Sequence, residues 1–172
     1  MTEDLEAIRL GYRPDADIRV LLIGESPPPG RGFFYTGDST LFRASVPVFA
    51  ERCGFPSDPE AFLRRFAGEG FYLDDLSTLR GDHPGDRPDA DDVKTSLRRL
   101  AGMIDEHRPV VVVGVLDRIC SLVERVVALS SEPGTPVRCL PFPYWKSESA
   151  KREYQRGLRD VLEEFGCSRG PA

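Results

Sequence analysis

Glu25 stands where its residue type and surroundings could do chemistry. It follows a short apolar run, Val20 to Ile23, that Gly24 closes. Pro27, Pro28 and Pro29 come next, and then Gly30, Arg31 and Gly32. The run reads as a fully buried parallel strand, and the prolines stiffen its exit. Phe33, Phe34 and Tyr35 follow, with Leu41 and Phe42 close behind. A carboxylate at the carboxyl end of a central strand, faced by a rigid loop and aromatic rings, occupies the place where an open α/β sheet holds a ligand. The loop is no phosphate cradle, because such cradles bind through successive backbone N–H groups and the prolines remove three of them. The spacing also fails both glycine-rich phosphate-binding patterns. A flat heteroaromatic ligand stacked on Phe33 or Phe34, with Glu25 nearby, suits the residues. They equally fit a plainer arrangement, with the rings in the core and Glu25 in a surface salt bridge.

Further groups of the same kind recur at later strand ends. Phe71 to Leu73 reads as a short strand ending in Asp74-Asp75, and Pro141-Phe142-Pro143-Tyr144-Trp145 forms a stiff aromatic corner followed by Lys146. His83 falls in an acidic loop and His107 at a helix end, where a cation is favoured; both read as surface residues. Cys53, Cys120, Cys139 and Cys167 are scattered without a C-x-x-C pair. That spacing predicts no metal site, no cofactor cluster and no disulfide framework, but buried free thiols in a reducing cytoplasm.

The elements that position these groups alternate along the chain. Thr2 to Leu10 reads as a short helix before the turn Arg13-Pro14-Asp15, and Leu41 to Cys53 as a helix opened by Ser39 or Thr40 and bent or interrupted at Pro47. Ser57 or Asp58 starts a helix through Phe66, with Pro59 in its first turn. Leu79 to Pro88 is loop, and Asp89 caps a helix whose buried face carries Val93, Leu97, Leu100, Ala101 and Ile104. Val110 to Val113 is a buried strand ended by Gly114, and Leu116 to Leu129 a helix. A last strand, Val137 to Leu140, precedes a helix capped by Ser147, with Tyr154, Leu158, Val161, Leu162 and Phe165 as its apolar stripe and Gly166 as its stop. Four strands alternating with helices predict a three-layer α/β/α domain with a parallel sheet and right-handed crossovers. The unusual residues then share one rim.

A chain of 172 residues is most economically a single domain, residues 1–172, and is expected to be a monomer. No apolar run is long enough to span a membrane, and the acidic N-terminus does not resemble a signal peptide. The net charge of −5 argues against a nucleic-acid partner. Its distribution softens that argument: Val137 to Arg159 carries six basic residues, Lys146, Lys151 and Arg152 among them, against Glu148 and Glu153. A solvated helix face also accounts for such a segment.

From Ile18 to Phe165 the chain resembles the uracil-DNA glycosylase superfamily. The resemblance rests on G-E-S-P-P at Gly24 to Pro28, on the Phe33-Phe34-Tyr35 cluster with Leu41-Phe42, on F-Y-L-D-D-L at Phe71 to Leu76, and on L-P-F-P-Y at Leu140 to Tyr144. It implies a DNA glycosylase of base excision repair that binds a flipped base and hydrolyses its N-glycosidic bond. Glu25 would then position or activate water, Phe33 or Phe34 would stack on the base, Asp75 would read the base edge, and Phe142 would line the pocket. Tyr144, Trp145 and Lys146 lie where relatives insert a residue into the duplex, and Lys151 and Arg152 would hold the DNA backbone. The Trp145 ring can equally pack on the body of the domain. Two positions depart from the pattern. Phe142 replaces a histidine that stabilises charge on the departing base, and Asp75 replaces a common asparagine. A non-catalytic member of the same fold that binds a nucleobase, a nucleotide or a protein therefore stays open, as does a hydrolase of free nucleosides or nucleotides.

Overall fold

The structure is a computed structural model, and it describes residues 4–28, 32–77 and 90–167. The expected loop from Leu79 to Pro88, His83 within it and the Asp89 cap lie outside the described residues. The chain runs α1 (Leu5–Gly11), β1 (Val20–Gly24), α2 (Thr40–Cys53), α3 (Pro59–Gly68), β2 (Phe71–Asp75), α4 (Ala90–His107), β3 (Val111–Val115), α5 (Cys120–Leu129), β4 (Val137–Leu140) and α6 (Glu148–Phe165). Short 3-10 turns precede α2, at Phe34–Thr36, and α5, at Asp117–Ile119. The strands form one parallel four-stranded sheet in the order β2-β1-β3-β4.

Helix starts follow the chemistry of their first residues. Asp4, Ser39, Asp58 and Ser147 each accept a backbone N–H three residues on, which satisfies a donor the helix itself leaves open. Pro47 sits inside α2 without ending it. β3 begins one residue later than its sequence suggests and runs through Gly114 to Val115. Gly114 can belong to the strand because α5 lies against it: a side chain there would press on Val123 at 3.2 Å.

Register decides which layer each strand residue meets. Val20, Leu22 and Gly24 pair with Phe71, Leu73 and Asp75, so these residues share one face. That face meets α2, α3 and α6: Phe49 of α2 and Phe66 of α3 both contact Phe71, and Leu140 of β4 lies against Gly157 of α6. The opposite face carries Ile23, Tyr72, Asp74, Val112 and Gly114 and meets α5, itself packed on α4. Helices on both faces are consistent with a three-layer α/β/α arrangement. Phe34, Phe42, Phe49, Phe62, Phe66 and Phe71 form one network of ring contacts in the first layer.

All four cysteines are paired, which corrects the expectation of free thiols. Cys53 bonds Cys167, tying the end of α2 to the segment beyond α6, and Cys120 bonds Cys139, tying α5 to β4. The Cα atoms of the pairs are 5.7 and 6.0 Å apart, within the usual reach of a disulfide. Sequence separations of 114 and 19 residues offer no local motif from which either pair could be read. The expectation of a reducing compartment rested on free thiols and loses that basis. Among the described residues, no helix is long and apolar enough to cross a membrane.

The free edge of β2 is closed by a side chain. The Tyr35 hydroxyl donates to the Leu73 carbonyl at 2.9 Å and accepts from the Leu73 N–H at 2.7 Å, all within the core. Both main-chain groups lose their partner in Tyr35→Phe, so unfolding in denaturant should show a loss of about 1–3 kcal/mol. Unchanged stability would mean that the edge groups are otherwise satisfied.

Candidate functional site

The strand order places β1 and β3 side by side while their connections leave in opposite directions, toward β2 and toward β4. A sheet of this kind opens a crevice at the carboxyl ends of those two strands. A cavity of about 300 Å³ lies there, lined by Glu25, Phe33, Phe34, Asp75, Arg118 and Phe142 among others. That size is at the lower end for a small-molecule site.

Glu25 is held from both sides. Its carbonyl accepts from the Ser77 N–H at 2.8 Å, which prolongs the β1–β2 ladder past the strands. Its carboxylate is only 16 % exposed and meets the Arg118 guanidinium through both oxygens, one of them at 2.9 Å from Nε. A fork-to-carboxylate pair of this geometry is among the stronger ion pairs, and it raises the Arg118 pKa above its ordinary value. The salt bridge anticipated for Glu25 is therefore present, inside the cleft. Arg118 escaped the sequence reading. Its signal was its position just beyond β3, the counterpart of Glu25 beyond β1, and that adjacency follows from strand order.

Leu116 launches the turn that carries Arg118 and has φ 142°, a region L-residues rarely adopt. The turn is pinned at both ends: the Leu116 N–H donates to the Leu140 carbonyl at 2.9 Å, and the Ile119 N–H to the Leu116 carbonyl at 3.1 Å.

Asp74 and Asp75 point opposite ways, as strand alternation requires. Asp75 lines the cavity, whereas Asp74 faces the other layer and accepts from Arg99 at 2.6 and 3.1 Å. Arg9 of α1 reaches both carboxylates, Asp74 at 3.3 Å and Asp75 through Oδ2. Arg9 is buried, a role that a short N-terminal helix did not advertise. The other oxygen of Asp75, Oδ1, lies so close to Gly24 that a Cβ there would collide with it. Burial pushes the Asp75 pKa up to about 7, opposed by Arg9 and reinforced by Asp74.

Phe33 and Phe34 both line the cavity and both are buried, so each serves the core and the cleft at once. Phe34 is braced by near-perpendicular contacts with Tyr35 and Phe42, which makes it a rigid wall. Asp38 fastens the loop beneath them, accepting from the Phe33 N–H at 3.1 Å and from the Thr36 hydroxyl at 2.6 Å.

Phe142 packs edge-on against Tyr144 with ring centres 5.1 Å apart, and both line the cavity. Beyond them Trp145 is 75 % exposed and Tyr144 52 %. The Trp145 ring therefore does not pack on the body of the domain; it stands in solvent with Lys146 Nζ 5.1 Å from its centre. Lys151 and Arg152 follow on the first turns of α6. Among the described residues, Lys146, Lys151 and Arg152 form no ion pair, whereas Arg138 and Arg159 are tied to Glu164 and Glu51.

His107 corrects the expectation of a surface histidine. Its side chain is largely buried at the opposite rim of the sheet, where Nδ1 accepts from the Ile18 N–H at 3.4 Å and Nε2 lies 2.9 Å from Arg13. It is remote from the cleft in the chain's layout and joins the end of α4 to the start of β1. Among the described residues, no group of histidine, cysteine and carboxylate side chains could hold a metal ion.

The raised Asp75 pKa has a consequence for stability. Between the unfolded carboxyl value, about 4, and about 7 the folded protein binds more protons than the unfolded chain. The Asp75 contribution is complete below that window and is lost as pH rises through it. Unfolding midpoints of Asp75→Asn, measured across that range, should show a flatter decline toward neutral pH than the wild type. Parallel profiles would mean that Asp75 does not carry the proton.

No protein-family model matches the chain, and no curated protein matches it. The functional reading therefore rests on the site's own residues and geometry.

Proposed function

We propose that this chain is a divergent member of the uracil-DNA glycosylase superfamily. On this reading it holds a nucleobase swung out of DNA and hydrolyses its N-glycosidic bond. The observation that carries the reading is convergence: Glu25, Phe34, Asp75 and Phe142 come from three strand ends and one loop, yet line one cavity. Tyr144 also lines it and leads into a solvent-exposed corner with Trp145 and Lys146.

The chemistry asks for a face, an edge and a way to carry charge. Phe33 and Phe34 supply apolar wall for the base face, and Phe142 closes the cavity where relatives carry histidine. Asp75 reads the edge through Oδ1, since Oδ2 is committed to Arg9. With its pKa near neutrality, Asp75 can present either a proton or a lone pair. Protonated, it donates to a carbonyl acceptor on the base and partly replaces the missing histidine as the group that meets negative charge. Ionised, it prefers a base with donors on its pairing edge. Water attacks the anomeric carbon, the bond to the base nitrogen breaks with its electron pair going to the base, and Glu25 accepts the water proton.

The test is release of bases from oligonucleotides carrying a panel of altered bases, read as abasic sites. Glu25→Gln should keep base binding and slow release by roughly 10²–10⁴-fold. An unaltered rate removes Glu25 from the mechanism. Trp145→Ala should weaken duplex binding more than single-strand binding, because a wedge offsets unstacking only where there is a stack to open. Equal losses on both substrates would remove the wedge.

A second reading is favoured by one observation. Both oxygens of Glu25 are engaged by Arg118, as expected of a protein that binds a nucleobase without cleaving it. Tight binding of an altered base with no release across the panel would establish that reading in place of catalysis.

A further inference from the structure

The Glu25–Arg118 pair sits inside the cleft, yet the reaction proposed above needs Glu25 free to meet water. Both oxygens that would take a proton are occupied by the guanidinium. Arg118 is also the sole cation lining the cavity among the described residues, against Glu25, Asp38 and Asp75. Asp75 already has Arg9, and Asp38 is spent on the Phe33 N–H and the Thr36 hydroxyl. Among the described residues, a ligand entering with a negative group meets three carboxyl side chains and one guanidinium that can offset them.

The shape of that guanidinium decides what it can take. An arginine fork accepts a carboxylate or a phosphate with the same pair of parallel N–H···O bonds. Arg118 is 46 % exposed, so its donors can turn outward without crossing the core. The turn that launches it passes through Leu116 at φ 142°, the kind of sparsely populated conformation found at switch segments.

We propose that Arg118 is a positioning residue that exchanges partners: it holds Glu25 in the free protein and moves to a phosphate of the ligand when the base enters, releasing the Glu25 carboxylate toward water. The exchange rests on the nucleobase-binding reading above. No covalent bond changes in it; the two charge-assisted hydrogen bonds to Glu25 are replaced by two to phosphate. Glu25 is thereby kept occupied until a phosphate-bearing ligand is seated. The phosphate can belong to a nucleic-acid backbone or to a free nucleotide, since the fork meets the same oxygens in either.

Calorimetric titration of the intact protein separates these cases. The probes are deoxyuridine and deoxyguanosine, their 5′-monophosphates, and a short oligothymidylate without terminal phosphates. Glu25→Gln should tighten the phosphate-bearing probe roughly tenfold, as expected when a competing charged partner is removed. It should leave the nucleosides unchanged. In the Glu25→Gln background, adding Arg118→Ala should lose on the order of tenfold for that probe and nothing for the nucleosides. A static clamp, in which Arg118 never touches the ligand, gives no loss in that comparison and overturns the exchange. Effects confined to the oligothymidylate assign the phosphate to the backbone, and effects confined to the monophosphates assign it to a free nucleotide. Nucleosides that bind with no phosphate effect overturn the exchange and leave the nucleobase reading standing. No binding by any probe overturns both. Phosphate-dependent coupling without base release in the oligonucleotide panel retains the exchange and removes the glycosylase reading.

Discussion

Two carboxylates in succession end β2, and the fold has to place both away from water. Sheet alternation sends Asp74 into one layer and Asp75 into the other, so no single cation on one face can serve both. Arg9 solves this from the strand edge, reaching Asp74 and Asp75 together, while Arg99 closes on Asp74 from α4. Removing one member of such a buried set leaves an uncompensated charge, which typically costs about 3–5 kcal/mol. Much of the local architecture answers to this requirement. The docking of α1, the approach of α4 and the glycine at position 24 are each needed for the four groups to meet. The cleft inherits one carboxyl from that arrangement, already oriented and already half neutralised.

The cleft is rigid on the sides where it borders the core and adjustable where it borders solvent. Phe34 belongs to the ring network that fills the first layer, and Asp38 fixes the loop under Phe33. Those walls cannot shift without disturbing the core. Across the opening, Arg118 and the Tyr144-Trp145 corner are exposed and carried on turns. Whatever enters the cleft thus meets core-backed walls on one side and exposed side chains on the other.

Much of this was legible in the sequence, and the remainder had physical reasons to hide. The apolar runs at β1 and β3 announce buried parallel strands, and the residues just beyond them announce a rim. Ser147 was readable as a cap because its chemistry is local, and the caps of α2 and α3 were readable to within one residue, Ser39 or Thr40 and Ser57 or Asp58. Glu25, Asp75 and Phe142 could be assigned to one cleft from their position at strand ends, and Phe34 from the loop that follows the first of them. Which of Asp74 and Asp75 faces the cleft depends on register, which one strand cannot reveal by itself. Arg118 and Arg9 depend on what lies beside them across 93 and 66 positions of chain. The cysteine pairs are likewise long-range, and scattered cysteines look the same whether paired or free. The exposed Trp145 ring reverses the ordinary expectation for a large apolar side chain, which local pattern has no means to signal.

That ring is also the chain's only tryptophan. Its indole already stands in water in the folded protein, so its emission should be red-shifted from the outset and change little on denaturation. The aromatic residues of the core are phenylalanine and tyrosine, which are nearly silent when tryptophan is excited selectively. Unfolding followed by tryptophan fluorescence would therefore understate the loss of structure, and circular dichroism is the better record of it. The same placement makes the indole an intrinsic reporter of the corner that follows Tyr144, a residue of the cavity wall: a change at that corner would alter the signal without any label.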